Sequence, residues 1–513
     1  MTKKKTIFIS TAIPYVNAAP HIGHALEFVQ ADILARYQRL IGNDVYFLSG
    51  TDDNALKNVL KAEEAGEDIK EYIARHTKLF EELLHKLNIS NDDFIRTSVD
   101  ERHVRGAQKL WQSFKPEDII KKTYKGFYCV GCEEFKTVKE LMDGRCPEHP
   151  NVALEEVEEE NYFFKLGNYS QQLEHIIVSD AIKITPQSRK NEVLAFIRGG
   201  LEDLSISRSV ARARGWGVPV PGDPSQVQYV WVDALSNYIT ALGYADDSER
   251  YKKYWNNESI KIHIIGKGIT RFHAIYWPAF LLSAGIPLPS DEVVHGYITS
   301  GGQKMSKSLG NVIDPFAVVD EYGIDALRYF LARHVHPFED SDFTMEKFRD
   351  VYNANLANGL GNLAARVMQL AESNLDKPVF AGGETFVFAY SPQIREAMQA
   401  YDLNAVMDSI WAAVSEIDEA IQKEQPFKVV KEDKQRGAEM IVKMVKHLAW
   451  IAKAIEPFMP ETSATILAAV LANKKPTNLF PRKETLRHAV KETPPHFALP
   501  KKKKKRKGDL DFS

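Results

Sequence analysis

The sequence predicts an α/β protein: a doubly wound, Rossmann-like parallel sheet, interrupted by a cysteine-bearing insert and followed by an all-α bundle. Three observations lead to this prediction. Residues 6–12 have the β-branched and aromatic character of a buried strand, and a proline-containing turn leads from them into a helical pattern over about 22–40. All three cysteines lie within residues 129–146. Over residues 348–471, apolar residues recur three and four apart, as in a helical bundle.

The composition indicates a large globular protein with several domains. At 513 residues the chain is too long for one hydrophobic core, and its 44% hydrophobic and 26% charged residues are ordinary proportions. The sequence contains no run of about 18 apolar residues, so it does not predict a membrane span. It also has no apolar segment near the N-terminus that would predict a secretory signal. With so few cysteines, we expect a cytoplasmic protein in a reducing environment that does not associate with membranes.

The net charge of −3 is unevenly distributed. The last 13 residues hold seven Lys or Arg and two Asp, a charge of +5, which leaves about −8 on residues 1–500. The basic run at 501–507 is expected to be disordered and could add salt-sensitive affinity for RNA. Any other contact with nucleic acid must come from local patches, because the overall charge does not favour it.

The string His21-Ile22-Gly23-His24 follows the predicted strand and its turn, so it falls at the start of a helix. Backbone N–H groups and the helix dipole favour an anion there, and His21 and His24, three residues apart, share one face of the first turn. Gly23 lacks a Cβ, so an adenine ring could approach the backbone. Taken alone, the two histidines could equally be a polar cap.

A second string, Lys304-Met305-Ser306-Lys307-Ser308, lies between Gly301-Gly302 and Gly310. Two lysines and two serines on a glycine-rich loop can form a mobile cationic clamp on phosphate, with Lys307 as the main contact and Lys304 in support. A solvated basic turn is the alternative. Both strings together present donors that suit charge developing on phosphoryl oxygens.

The three cysteines and one histidine form a metal-binding pattern. Cys129 and Cys132 give C-x2-C, and Cys146 with His149 gives C-x2-H. Four ligands with no open position describe a closed structural zinc site, one ion per chain. The alternative is three free thiols near an unrelated histidine.

The two strings resemble the signature pair of the class I aminoacyl-tRNA synthetases. The resemblance narrows to the methionyl-tRNA synthetases over roughly residues 5–480. It rests on A-I-P-Y-V-N at 12–17, Y-V-W-V-D-A at 229–234, and the pairs Gly266-Lys267, Phe272-His273 and Tyr276-Trp277. It implies a methionine–tRNA ligase: methionine and ATP give methionyl-adenylate and pyrophosphate, and methionine then passes to the 3′-terminal adenosine of tRNA(Met).

The resemblance also implies site residues. The catalytic group would be His21, His24, Lys304, Lys307 and Arg208, the last from L-S-I-S-R at 204–208. ATP would contact Gly23, His21, His24, Lys304, Ser306, Lys307 and Ser308, with Mg²⁺ bound alongside the ATP. Methionine would lie among Ile13, Tyr15, Asp52, Trp231, Ala234, Tyr238 and His273, where Asp52 holds the ammonium group. A polarizable thioether suits such aromatic surroundings.

The anticodon would be read by Asn358, Asn362, Arg366 and Phe427. The first three are four apart and are predicted to line one helix face. Two positions depart from the family. Asp53-Asn54-Ala55 stands where E-H-G is common, and Phe427 replaces a tryptophan, which leaves a smaller stacking surface.

We expect five regions: residues 1–115 and 221–347 as the two halves of the catalytic domain, 116–220 as the connective insert with the zinc knuckle, 348–490 as the helical anticodon-binding domain, and 491–513 as the basic disordered tail. Longer family members append a dimerising domain after the bundle, so a monomer is expected.

Four alternatives are less consistent with the sequence. Cysteinyl-tRNA synthetases bind zinc through a cysteine near the N-terminus, and this chain has none before Cys129. Synthetases for isoleucine, valine and leucine carry an editing domain for which the interval between the strings leaves no room. A nucleotidyltransferase without RNA, or a non-catalytic zinc-bearing RNA-binding protein, conflicts with the helical C-terminal third or with the intact signature residues.

Overall fold

The computed structural model describes residues 4–132, 134–136, 138–147, 149–305, 310–381 and 386–484. Every element named below lies in one compact unit, residues 1–482. None of the described helices combines the length and apolarity that crossing a membrane requires.

A six-stranded parallel sheet forms the centre, in the order β3-β2-β1-β12-β13-β7. Its strands are β1 (Thr6–Thr11), β2 (Asp44–Thr51), β3 (Asp93–Arg96), β7 (Lys183–Thr185), β12 (Ile260–Gly266) and β13 (Asp291–His295). The chain builds outward from β1 through β2 and β3, and then returns to β12 on the other side of β1. Ile9 accordingly pairs with Phe47 of β2 and with Ile262 of β12. Such a reversal opens a ligand crevice at the carboxyl ends of the strands.

The other strands form three small sheets. They are β4 (Ile119–Cys129), β5 (Glu134–Lys136), β6 (Glu155–Phe164), β8 (Leu204–Ser205), β9 (Ser207–Ser209), β10 (Pro219–Val220), β11 (Asp223–Gln228), β14 (Ile298–Ser300), β15 (Gln303–Lys304) and β16 (Ser341–Asp342). The long β4–β6 antiparallel ladder dominates the insert. Within the same stretch of chain, β7 joins the central sheet beside β13.

The helices of the first two thirds are α1 (Ile22–Leu40), α2 (Leu56–Ala65), α3 (Ile69–Lys86), α4 (Glu101–Ser113), α5 (Ser170–Val178), α6 (Gln187–Arg198), α7 (Val230–Thr240), α8 (Glu249–Tyr254), α9 (Trp277–Ala284), α10 (Pro315–Tyr322) and α11 (Ile324–Arg333). A π-helix, Phe272–Tyr276, leads into α9. The predicted strand at 6–12 and helix at 22–40 are confirmed as β1 and α1. The β-branched and aromatic run is buried as a strand, and the apolar periodicity of α1 turns a buried face to the sheet.

The predicted helical C-terminal part is also confirmed. It comprises α12 (Met345–Val351), a π-helix (Tyr352–Gly361), α13 (Asn362–Asn374), α14 (Pro392–Gln399), α15 (Leu403–Glu424), α16 (Pro426–Glu432), α17 (Lys434–Ala454) and α18 (Pro460–Ala472). Its buried apolar residues form one continuous core with those of β1 and α1. The bundle therefore shares its core with the side of the sheet that α1 covers, the helix that begins at the histidine string.

Candidate active site

A cleft of about 430 Å³ opens at the carboxyl ends of β1, β12 and β13. It brings together six predicted site residues: Ile13, Tyr15, His21, Gly23, His24 and Trp231. Segments that follow β12 and β13 complete the wall with Gly268, Ile269, His295 and Tyr297. The crevice lies where the strand order reverses, as the doubly wound fold requires.

The two histidines form a reciprocal cap on α1. His21 is the N-cap residue, and its Nδ1 accepts the Gly23 N–H at 3.1 Å. Nδ1 of His24 accepts the His21 N–H at 3.1 Å. The rings stack with centroids 4.0 Å apart. This is the geometry of a capping box with imidazoles in place of the usual hydroxyl and carboxylate.

The cap fixes the protonation of both rings. Since each Nδ1 accepts a backbone N–H, the proton of the neutral ring must sit on Nε2. Burial, with nearby His21 and His295, holds the pKa of His24 well below its usual value, so His24 is neutral at physiological pH. Each neutral ring therefore carries its N–H on Nε2, a donor type that suits phosphoryl oxygens. The first backbone N–H groups of α1 are already bonded, that of Ile22 to the Ile313 carbonyl and that of Gly23 to His21 Nδ1.

Gly23 is needed for the conformation of the His21 side chain, and not only for the approach of a nucleotide. A Cβ at this position would lie 2.9 Å from Cε1 and 3.0 Å from Nδ1 of His21. The glycine therefore allows the His21 ring to fold back over the first turn and accept the N–H. Motif spacing suggested space for adenine, and the structure adds this second reason.

Glu27 and His295 form a partly buried pair in the same cleft, and the motifs did not predict this pair. Glu27 Oε1 accepts the Ala12 N–H at 2.8 Å, and Oε2 lies 3.0 Å from His295 Nε2. His295 Nδ1 contacts the Gly296 carbonyl at 2.8 Å. One carboxylate thus joins the ends of β1 and β13 to α1. A single Glu inside a helical pattern gives no sequence signal for this role.

The aromatic wall of the cleft is closely stacked. The rings of Tyr15 and Trp231 are 6.2 Å apart, and Trp231 stacks on Phe272 at 3.7 Å with an interplanar angle of 6°. Behind this wall, the Tyr238 hydroxyl lies 2.7 Å from Nε2 of His273. Nδ1 of His273 lies 3.0 Å from the Ile269 carbonyl, and burial lowers the pKa of this histidine to about 4. Neutral His273 therefore donates from Nδ1 and accepts the Tyr238 hydroxyl at Nε2.

Three of the predicted methionine residues, Ala234, Tyr238 and His273, are buried behind the cleft wall and do not line it. Asp52 is also buried, just past β2, and forms an isolated parallel bridge with Tyr15. Its N–H donates to the Pro14 carbonyl at 3.0 Å. The backbone thus places Asp52 next to a wall residue of the cleft.

The second string is described only in part. Lys304 ends β15, which pairs with β14, and Met305 lines the cleft. Ser306, Lys307 and Ser308 lie outside the described residues. Beyond them, the Ile313 carbonyl accepts the Ile22 N–H at 3.3 Å, in the first turn of α1. Both flanks of the string therefore reach the helix start that carries the histidines.

Arg208 lies away from this cleft. It is buried on β9, where its guanidinium lies over the rings of Tyr128, Phe135 and Tyr229, with centroids 5.3, 5.2 and 4.4 Å away. Its Nη1 donates to Ser205 Oγ and to the Ser207 carbonyl. The structure does not bring Arg208 together with His21 and His24.

Residues 53–55, which differ from the family pattern, are buried, and the polar side chains among them are hydrogen-bonded. The Asp53 carboxylate pairs with Arg96 and accepts the hydroxyls of Thr51 and Ser98. Asn54 Nδ2 donates to Asp233 Oδ2 at 2.7 Å. Ala55 is the residue before α2 and is buried. The polar groups that replace the family residues have therefore found local partners.

Cys129, Cys132, Cys146 and His149 converge as predicted, with all four ligand atoms within 4.8 Å of one another. Cys132 Sγ lies 3.5 Å from Cys146 Sγ and 3.4 Å from His149 Nδ1. Tetrahedral zinc with bonds of about 2.0–2.3 Å needs ligand separations of about 3.5–3.8 Å, so the donor set fits. A Cβ on Gly131 would lie 2.3 Å from His149 Cγ, so glycine lets the histidine close the cluster.

The predicted anticodon residues lie on the C-terminal helices. Asn358 and Asn362 are exposed, and Phe427 on α16 is 42% exposed. Arg366 forms an ion pair with Asp418 of α15. The prediction of one continuous helix face is wrong: Asn358 lies in the π-helix, Gly359 breaks it with φ −89° and ψ −106°, and Asn362 opens α13.

Comparison with known proteins extends over nearly the whole chain. The family model described as tRNA synthetases class I (M) matches residues 7–154 and 150–368, and the anticodon binding domain of methionyl tRNA ligase matches 383–502. A methionine–tRNA ligase of Brucella suis is 41% identical over 490 residues, 93% of this chain and 94% of the relative. One of Caldanaerobacter subterraneus is 41% identical over 90% of this chain and 73% of its own length.

Among solved structures, a Mycobacterium tuberculosis methionyl-tRNA synthetase in complex with methionyl-adenylate superposes with a TM-score of 0.82 at 36% identity. The match covers 94% of this chain and 99% of that one. Fold, cleft and sequence agree, so the chain belongs to the methionyl-tRNA synthetases of class I and is a methionine–tRNA ligase.

Proposed function

We propose that the cleft activates methionine with ATP to methionyl-adenylate and pyrophosphate, and then transfers methionine to the 3′-terminal adenosine of tRNA(Met). The observation that supports this most strongly is the reciprocal histidine cap, which puts the N–H of each neutral ring on Nε2 at the start of α1, in a cleft that also has an aromatic wall. The M. tuberculosis relative was solved with methionyl-adenylate. A mixed anhydride of that kind needs both surfaces, donors for phosphate and an apolar wall for the side chain.

In the first step, His21 and His24 donate to phosphoryl oxygens of ATP, and Gly23 leaves room for the adenine. Lys304, Lys307, Ser306 and Ser308 close on the phosphates and meet the charge that develops as the carboxylate attacks. No covalent bond to the protein is needed. Mg²⁺ bound with ATP would neutralise part of the phosphate charge.

Methionine lies along the aromatic wall. Ile13, Tyr15 and Trp231 contact its thioether chain, with Ala234, Tyr238 and His273 as the backing, and Asp52 pairs with its ammonium group. His273 stays neutral because its pKa is about 4. The thioether thus meets aromatic surfaces and no charge, which suits a polarizable, uncharged sulfur.

Arg208 acts on the activated phosphate or on closure of the cleft. Its guanidinium lies over three aromatic rings, and its Nη1 donates to Ser205 Oγ and to the Ser207 carbonyl. Such a group can exchange ring contacts for a phosphate, since both match a flat cation. Arg208→Lys should then lower turnover while leaving methionine affinity unchanged.

Pyrophosphate exchange tests the first step. With each amino acid in turn, exchange should require methionine, and total tRNA should then accept methionine. Lys307→Ala should lower kcat for exchange by roughly 100-fold or more, with little change in methionine binding, because its partner charge develops in the transition state. Exchange dependent on another amino acid contradicts the proposed substrate. A loss of binding with unchanged kcat contradicts the role of Lys307.

We further propose that the Cys129, Cys132, Cys146 and His149 cluster holds one structural Zn²⁺ per chain. Thiolates and one imidazole in a closed tetrahedral set are the ligands zinc prefers. Metal analysis should find one zinc per chain, and Cys129→Ser/Cys132→Ser should lose it. A purified, folded and active chain without zinc contradicts the proposal.

The chain is proposed to work as a cytoplasmic monomer, with 1–115 and 221–347 as the catalytic halves, 116–220 as the connective insert, 348–490 as the anticodon-binding domain and 491–513 as a basic tail. Asn358, Asn362, Arg366 and Phe427 would contact the anticodon. Asn358→Ala should raise KM for tRNA and leave pyrophosphate exchange unchanged. Gel filtration of the purified chain at micromolar concentration tests the monomer.

A further inference from the structure

One buried hydrogen bond joins the two sides of the proposed methionine site. Asn54, two residues after Asp52, donates from Nδ2 to Asp233 Oδ2 on α7 at 2.7 Å. A second hydrogen bond lies within the loop itself, because the Asn54 N–H donates to Asp52 Oδ1 at 3.1 Å. The helix α7 carries Trp231, Ala234 and Tyr238, so the bond spans from the ammonium side to the thioether side.

Asp233 connects this hydrogen bond to a series of further buried hydrogen bonds. Asp233 Oδ1 lies 2.5 Å from His103 Nε2 on α4, and His103 Nδ1 lies 2.9 Å from Thr240 Oγ1. Asp233, His103 and Thr240 are each fully buried, and Asn54 is 9% exposed. Asp233 thus receives one donor at each oxygen. A buried carboxylate satisfied in this way is held in one position, because losing either donor leaves it unpaired in a water-poor region.

The amide of Asn54 is held in orientation by a further contact, because Nδ2 also donates to the Thr97 carbonyl at 3.2 Å. Tyr15 of the aromatic wall is tied to the same loop, since Asp52 bridges to Tyr15. Among the described hydrogen bonds, the one from Asn54 to Asp233 joins the Asp52 loop directly to α7.

Resting on the proposed function, we propose that Asn54, through Asp233 and His103, is a positioning residue that fixes the length of amino acid the site accepts. The Asn54–Asp233 bond holds α7 at one distance from the Asp52 carboxylate. Methionine spans that distance between its ammonium group and its thioether. The family commonly has histidine at this position, so the amide of Asn54 is this chain's own means of supplying the N–H.

Asn54→Ala tests the proposal by a split between kinetic constants. KM for methionine in pyrophosphate exchange should rise about tenfold, the size expected for one buried hydrogen bond to a charged acceptor. The kcat and the KM for ATP should stay within about twofold. The preference for methionine over ethionine, roughly 10-fold or more for one methylene in an apolar pocket, should shrink because α7 is no longer held.

A charge swap separates positioning from general damage. Asn54→Asp places a second carboxylate against Asp233 and should raise the methionine KM further than Asn54→Ala. Adding Asp233→Asn restores one amide and one carboxylate, and should recover most of the methionine affinity. The matched control is Asn168→Asp, at the amide–carboxylate pair with Asp118 in the insert, 3.3 Å apart. It should leave the methionine KM unchanged.

Three outcomes overturn the proposal: an unchanged methionine KM in Asn54→Ala, an equal loss in the methionine and ATP constants, or a charge swap no better than Asn54→Asp alone. Should the single variants fail to fold, a folded swap with near wild-type methionine KM supports it, and an unfolded swap overturns it. Methionine-dependent exchange by the wild type stands apart from these results, so failure of the proposed function is recognised separately.

Discussion

At the scale of single residues, Gly23 and His21 act as one unit. Gly23→Ala introduces a Cβ 2.9 Å from the His21 ring, so the ring must turn away and release the Gly23 N–H. The kcat for adenylate formation should fall by roughly 10- to 100-fold because a positioned donor is lost. Methionine affinity, measured by calorimetry without ATP, should be unchanged. A wild-type kcat contradicts the role given to the ring.

His21→Asn provides the matched control for the same site. Asparagine is a good N-cap, so the helix start and the thermal midpoint should be kept. It does not supply the Nε2–H, so turnover should fall as in Gly23→Ala. A variant that keeps turnover would show that His21 serves only as a cap.

Residue types and spacing predicted the histidine pair and the metal cluster, because those motifs are local in sequence, whereas Tyr15 and Trp231 of the aromatic wall came only from the family resemblance. Spacing could not predict the protonation of the histidines, which depends on burial of His24, on two backbone N–H groups and on the neighbouring His295. They also could not locate Arg208. Its burial among aromatic rings of the insert is a tertiary contact that no spacing encodes.

At the scale of elements, the periodicity of the C-terminal helices was predicted and their geometry was not. A spacing of four predicts one face only while the helix has 3.6 residues per turn. The segment Tyr352–Gly361 winds as a π-helix with a kink at Gly359, so the face is interrupted between Asn358 and Asn362. Glycine at a helix break is a weak signal by itself, since many helices tolerate one.

Strand β13 contains a second feature that the sequence periodicity did not predict. Glu292 is fully buried in register with His263, and neither of its carboxyl oxygens has a hydrogen-bond partner among the residues that the structure describes. Burial raises the pKa of Glu292 well above its usual value. In the unfolded chain the Glu292 carboxyl ionises near pH 4.3, whereas in the folded protein it stays protonated to a higher pH. The free energy of unfolding therefore falls as the pH rises from about 4.3 towards the folded pKa.

Glu292→Met should therefore stabilise the protein. The unbranched apolar side chain removes both the titration and the unpaired oxygens, worth about 1–3 kcal/mol for a buried polar group. The thermal midpoint should rise, and more at pH 8 than at pH 5. Glu292→Gln, which removes the charge but keeps the polar atoms, should recover only the pH-dependent part. A lower midpoint for Glu292→Met at both pH values would contradict this assignment.

For the whole molecule, Arg328 of α11 links the sheet region to the C-terminal helices. Its guanidinium pairs with Asp32 of α1 at 2.7 Å and donates to the carbonyls of Leu87, Pro457 and Phe458. Both charged groups are fully buried. The helical part was predicted from its pattern, but its docking on α1 was not. That docking depends on charges more than 290 positions apart in the chain.

Arg328→Met should destabilise the protein by about 3–5 kcal/mol, because three buried carbonyls lose their donor and Asp32, although it keeps Arg36 and Ser90, loses its fully buried partner. The control is Arg333→Met on the same helix, whose ion-pair partner Asp408 is 68% exposed, so that pair is worth at most about 1 kcal/mol. The double variant Arg328→Met/Asp32→Asn loses the Asp32–Arg328 pair once, so it should be less destabilised than the sum of the two single variants. Denaturant unfolding of the wild type, both single variants and the double variant measures this coupling, and strictly additive losses would show that the two groups stabilise the junction independently.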